Sequence, residues 1–298
     1  SQQEEAVYVR AMNAFGNCSE AFSNIFDNVY RHAIYVTVNT NTPNIVDYCV
    51  NITNNIFTSP ILQTYAHTTG YECSIRVRSA YGCNIKNNLF YKVIECVTIT
   101  SQVESELVGE DIYNVFQNNT IIDVTRITTA QKAIVDATAD GTVYIKNLVI
   151  DGNIVNNCNI PFITPDKCTD IVISNNTVNE TGVTGGYAIV KINSGVNKLS
   201  LVNNDFVTDG SIFRFYNTGM KLELIRNKLK AVYFCASTIS NSVNSVVIKD
   251  NIVDITTVAD TSYNDTLALQ TNFENIDFNT HVSKNNADVT TLQNGMYW

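Results

Sequence analysis

One spacing of apolar and polar residues returns along most of this chain: apolar, any, apolar, any, any, asparagine, any, apolar. It is plainest in LVIDGNIV (148–155), IVISNNTV (171–178), LSLVNNDF (199–206), LELIRNKL (222–229) and VVIKDNIV (246–253). Looser copies are VNITNNIF (50–57), CNIKNNLF (83–90) and NVFQNNTI (114–121), and the first is SNIFDNVY (23–30). Framed this way, the asparagine column is Asn28, Asn55, Asn88, Asn119, Asn153, Asn176, Asn204, Asn227 and Asn251. Three residues before each stand Ile25, Ile52, Ile85, Phe116, Ile150, Ile173, Leu201, Leu224 and Ile248. Two residues after each stand Tyr30, Phe57, Phe90, Ile121, Val155, Val178, Phe206, Leu229 and Val253.

Alternation with period two on either side of the asparagine predicts two short strands, and the break in phase predicts a tight bend between them. Asparagine tolerates the left-handed conformation such a bend requires. The asparagines recur every 23 to 34 residues, as in a solenoid coil carrying loops of variable length. Stacked coil on coil, their amides would hydrogen-bond along the stack and satisfy one another. An apolar spacing of two excludes a helical repeat, and a leucine-rich repeat places its asparagine in a different frame.

The repeat resembles the right-handed parallel β-helix of the pectate-lyase-like superfamily, most of all the β-helical body of phage tailspikes and tail-fibre depolymerases. The resemblance implies an all-β, single-stranded parallel β-helix of about ten coils over residues 15–285. It also implies three sheets, with the asparagine at the bend between the second and the third. Third strands are expected at AIVKI (188–192), IFRFY (212–216), VYFCA (232–236) and LALQ (267–270). A degenerate tenth rung is expected at IDFNTHVS (276–283), with His281 in the asparagine position. Residues 1–14 and the tail 286–298 are expected to cap the open ends, which would otherwise expose sheet edges. The resemblance further implies a polysaccharide partner, a homotrimer, and a place on a phage tail or outside the cell after assembly in the cytoplasm.

Composition adds mainly exclusions. The 298 residues are 45% apolar and 16% charged, which suits a globular chain. The net charge of −9 argues against nucleic acid as a partner, since a phosphate backbone needs clustered cations. No apolar run is long enough to cross a bilayer, and no secretory leader is visible at the first residues. Eight cysteines without CxxC spacing and three histidines without HxxxH spacing predict buried thiols and neither a metal site nor a cofactor. No GxGxxG, P-loop, GxSxG or HExxH motif occurs, so nucleotide, hydrolase-elbow and zincin chemistries lack support.

If the chain is an enzyme, glycan cleavage by carboxylates is the reaction this fold permits, with a hydrolase ahead of a lyase in which Lys191 and Arg214 would serve, acting on a capsule, O-antigen or exopolysaccharide. Hydrolysis needs two carboxyl groups about 5–5.5 Å or about 6.5–9.5 Å apart, and coils stack at about 4.8 Å. Glu180 and Asp209, four and five residues after their asparagines, are the expected catalytic pair, at near-equivalent turns of neighbouring coils. Lys191, Arg214, Tyr187, Tyr216 and Tyr233 are the expected substrate-binding residues. Asp136 and Asp140 in an insertion, and the run Glu104, Glu106, Glu110, Asp111, are second choices. The alternatives are a receptor-binding or adhesin domain without turnover, and a structural shaft. An outward stripe including Val115, Val149, Val172, Val247, Ile154 and Ile252, with Asn24 and Asn51 at its start, predicts burial against other subunits.

Overall fold

The computed structural model describes residues 5–11, 19–29, 32–38, 50–60, 73–78, 82–101, 113–126, 133–139, 145–180, 188–216, 219–235, 243–255, 281–284 and 288–291. These residues form short strands stacked into three sheets of nine, nine and eleven members, which together make a right-handed parallel β-helix. Each complete coil contributes one strand to each sheet in turn. For one coil these are Val135–Ala139, Leu148–Asp151 and Ile154–Asn156. Pairing is parallel between coils, except that His281–Lys284 and Asp288–Thr291 run antiparallel at the end of the third sheet. At the other end Glu5–Ala11 pairs in parallel with His32–Val38, so it is laid down as the outermost strand of the first sheet. The segment LALQ and the last four residues lie outside the described residues.

The asparagine column stacks as expected for eight of its nine members. Asn204 shows the pattern: its amide donates to the Ile173 carbonyl of the preceding coil at 2.8 Å and to Asn227 Oδ1 of the next at 3.0 Å. Its own Oδ1 accepts the backbone N–H and the side-chain amide of Asn176, both at 3.0 Å. The same bonds recur at Asn55, Asn88, Asn119, Asn153, Asn176 and Asn227. Each is buried, so every amide group that leaves water finds a partner.

The first rung departs from the predicted frame. Asn24, not Asn28, begins the ladder, donating its backbone and side-chain N–H groups to Asn55 Oδ1 at 2.9 and 3.0 Å. Ile25 pairs with Ile56 and points outward, while Phe26 pairs with Phe57 and points in. The rung is therefore Ser19–Phe26, and its apolar column contributes Ala21 rather than Ile25. Asn28 falls in the turn after the third strand, where it shares a left-handed conformation with Lys92, Asp123 and Asn157.

The bend is also built differently from the expectation. The left-handed residue is the one before the ladder asparagine: Ser23, Asn54, Asn87, Asn118, Gly152, Asn175, Asn203, Arg226 and Asp250, with φ between 53° and 64°. Asparagine, aspartate and glycine dominate because they enter this region at least cost. The ladder asparagine itself is left to hydrogen-bond. Nor does His281 replace a ladder asparagine, since it pairs with Ile252, one residue further on.

Inside, the apolar columns form one continuous core. Phe26, Phe57 and Phe90 stack with centroids 5.0 and 4.8 Å apart, continued by Ile121, Val155, Val178, Phe206, Leu229 and Val253. Cys73, Cys96, Cys158 and Cys168 are buried thiols, and burial pushes Cys73 and Cys158 up to about 12, so they serve as small apolar residues.

Asn204→Ala should cost about 1–3 kcal/mol, because buried partners above and below are left unpaired. Asn28→Gly, which keeps the left-handed turn, should change stability by less than about 0.5 kcal/mol. Urea midpoints check both, and equal effects would contradict a ladder that includes Asn204 and omits Asn28.

Candidate functional site

The pair Glu180 and Asp209 is not brought together. Third-sheet strands of the earlier coils have three residues and then turn, as in Thr120–Ile122 followed by left-handed Asp123. Thr177–Glu180 runs one residue longer. That extra residue stays extended, so Glu180 alternates into the interior, in register with buried Thr208. Asp209 comes one residue later and is exposed. Among the described residues both carboxyl oxygens of Glu180 lack a hydrogen-bond partner. Burial raises its pKa well above the ordinary 4.5; a second carboxylate has no part in the shift. Cys158 is its neighbour, since charge on Glu180 would raise that thiol further.

Lys191, Arg214 and Tyr216 do converge. Lys191 and Arg214 are register partners on the outer face of the first sheet. Lys191 Nζ lies 5.8 Å and Arg214 Cζ 5.0 Å from the centre of the Tyr216 ring. Tyr187 lies outside the described residues, and so do Asp140, Glu104, Glu106, Glu110 and Asp111. Tyr233 starts the next strand of the same sheet, paired with Ser211. Asp136 is not in a loop. It stands on the first-sheet strand Val135–Ala139, in register with Thr98 and Thr164.

Register joins these residues into a larger surface. Across the outer face of the first sheet, one column reads Tyr35, Arg76, Thr98, Asp136, Thr164, Lys191, Arg214. A second column, two residues on, reads Arg78, Thr100, Thr138, Asp166, with Asn193 and Tyr216 following through the bonds Asn193 N–H to Pro165 and Tyr216 N–H to Ile192. Neither column holds an aliphatic residue. By contrast, the exposed aliphatics Ile25, Ile56, Ile154, Val172, Val207, Val247 and Ile252 all lie on the second and third sheets.

The middle of this stripe is buried and its ends are open. Thr138 Oγ1 donates to Asp136 Oδ1 at 2.9 Å, and Thr98 Oγ1 to Glu95 Oε2 at 3.4 Å. Among the described residues Thr100 and Thr164 keep buried hydroxyls without a hydrogen-bond partner. At one end the Arg76 guanidinium lies 5.9 Å from the centre of the Tyr35 ring, and Arg78 Nη1 donates to the Tyr35 hydroxyl at 3.4 Å. Arg76, Arg78, Glu95 and Asp166 do not stand out in the sequence. The available signal is apolar–polar alternation in IRVR, VTITS and ITPD, which marks one face of each strand as polar.

Compared with family models, curated proteins and solved structures, the chain has no match. The β-helix therefore rests on the repeat and on the observed sheets.

Glu180 generates a pH prediction. The folded state holds a proton that the unfolded chain releases above about pH 4.5, so stability is lost as pH rises from there through the raised folded pKa. Glu180→Met should be more stable than the parent by at least about 1 kcal/mol at pH 8, with the difference narrowing as pH falls to 4. Thermal midpoints across this range check it, and parallel curves would contradict an unpartnered buried carboxyl.

Proposed function

We propose that the chain is a tailspike-like β-helix that binds a bacterial surface polysaccharide along the outer face of its first sheet, on a virion tail or outside the cell. The observation that carries this reading is the pair of polar columns. A ligand rich in hydroxyls needs donors, acceptors and aromatic edges over an extended surface. Where they reach the surface these columns offer Arg76, Arg78, Lys191 and Arg214, the threonines Thr98 and Thr138, Asp166, and the tyrosines Tyr35 and Tyr216, while Thr100, Asp136 and Thr164 between them are sealed. The family resemblance read from the asparagine repeat points the same way.

Assembly as a homotrimer, which the resemblance implies, has support in the other faces. Ile25 is 71% and Ile252 54% exposed, and together with Val172 and Val247 they lie on the two sheets that meet at the asparagine bend. Packing those sheets against other copies covers the apolar rows and leaves the polar first sheet facing outward.

Cleavage is the second reading, implied by the resemblance. Glu180 and Asp136, 1% and 2% exposed, are both sealed from a glycan, which leaves half-buried Asp166 as the carboxylate of the stripe in position to act.

Incubation with purified capsular, O-antigen and exopolysaccharides should show retention of at least one polymer, weakened at least about tenfold by Arg76→Ala with Lys191→Ala. New reducing ends, lost in Asp166→Asn, would establish cleavage. Retention without reducing ends would establish binding alone, and no retention of any polymer would favour a structural shaft. Light scattering should give a trimer mass, and a stable monomer at micromolar concentration would contradict the packing.

A further inference from the structure

Two cations stand side by side at one end of the polar stripe. Lys191 and Arg214 are paired residue for residue on neighbouring strands, so their backbones are about 4.8 Å apart. Like charges placed opposite one another on a sheet repel. Here one aromatic ring gathers both: Tyr216 has Lys191 Nζ at 5.8 Å and Arg214 Cζ at 5.0 Å from its centre, within the cation–π range of about 6 Å. The backbone at Tyr216 is fixed in turn, because its N–H donates to the Ile192 carbonyl at 2.8 Å. Tyr216 therefore engages both cations at once. The arrangement recurs at the far end of the stripe, where Arg76 and Arg78 both engage Tyr35.

All three groups are reachable: Lys191 and Arg214 are half-buried and Tyr216 is 51% exposed. Polar neighbours that suit a sugar surround them. Asp166, on the preceding strand, is half-buried and takes a hydrogen bond from Ser194 at 2.9 Å, while Asn193 is the register neighbour of Tyr216.

We propose that Lys191 and Arg214, held together by Tyr216, form a subsite for an anionic sugar unit, one bearing a carboxylate or a phosphate. The inference rests on the polysaccharide reading above and names the class of polymer. A guanidinium presents parallel N–H groups to either anion, and the ammonium beside it adds a second charge. Asp166 and Asn193 meet the hydroxyls of the same unit, which separates a sugar acid from a bare ion. The chain as a whole carries −9 and repels polyanions at long range, so recognition acts at close contact and weakens as salt screens it.

The test uses the full chain with sodium D-glucuronate, D-glucose 6-phosphate, D-glucose and sodium chloride at matched ionic strength, read by calorimetric titration. Glucuronate or glucose 6-phosphate should bind at least about tenfold more tightly than glucose, and the tighter of the two identifies carboxylate or phosphate. Lys191→Gln with Arg214→Gln should abolish that preference. Arg214→Lys should lower it, and Tyr216→Leu should lower it with the charges intact. Circular dichroism of each variant establishes that the fold is kept. Equal binding of glucose and both acids, or a preference that survives the double substitution, would overturn the subsite. Retention of a neutral polysaccharide alongside equal binding would overturn the subsite and uphold the polymer reading. A glucuronate preference that needs Lys191 and Arg214, with no polymer retained, would uphold the subsite and overturn the polymer reading.

Discussion

The structure depends on one repeated hydrogen-bonding unit, the buried asparagine amide that joins each coil to the coils before and after it. Its two N–H groups go to a backbone carbonyl on one side and the next asparagine on the other. Its oxygen takes two donors from the coil before. An amide left unpaired in the interior would cost about 1–3 kcal/mol, so a coil that slipped by one residue would lose bonds on both sides and turn its apolar columns outward. The ladder thus holds register at one corner of every coil. Connections elsewhere vary in length, from 23 to 34 residues between ladder positions, without disturbing it.

Register at the corner becomes pattern on the surface. Because coils are stacked residue over residue, one side-chain choice repeated on each strand becomes a column. The three faces use this differently. The first sheet shows carboxylates, hydroxyls, cations and tyrosines. The second and third show exposed valines and isoleucines. A polar face beside two faces with exposed aliphatic rows is a division that the stacking geometry makes easy to encode. Glu180 shows the converse: a third-sheet strand one residue longer than its predecessors carries a carboxyl from the turn into the core.

Most of the fold is legible in the repeat, because both its apolar columns and its asparagine report the same buried corner. Sequence and structure part where that signal is double or silent. SNIFDNVY carries two asparagines four residues apart, and Ser19 and Ala21 are weak apolar markers, so the pattern frames the first rung on Asn28 instead of Asn24. The pattern also assigns the left-handed conformation to the ladder asparagine, although its predecessor bears it. Those predecessors are mostly asparagines too, which hides the distinction. Lys191 and Arg214 are detectable because they lie in successive short coils. Asp136 reads as a loop residue and Arg76 escapes notice because long connections precede those strands in the sequence, and Asp166 escapes notice because Pro165 beside it argues against a strand at ITPD. Counting from the asparagine also places Glu180 on a turn, since strand length at that corner leaves no mark in the repeat.

The outer face of the first sheet is the proposed ligand surface, and the ladder is the reason it exists as ordered columns. The most direct measurement is a crystal structure with an oligosaccharide cut from a polymer that the protein retains. Sugar rings should lie over the open ends of the columns, at Arg76 and Arg78 or at Lys191, Arg214 and Tyr216, with an acidic group between Lys191 and Arg214. Sugars bound on the second or third sheet, with these columns bare, would contradict that assignment.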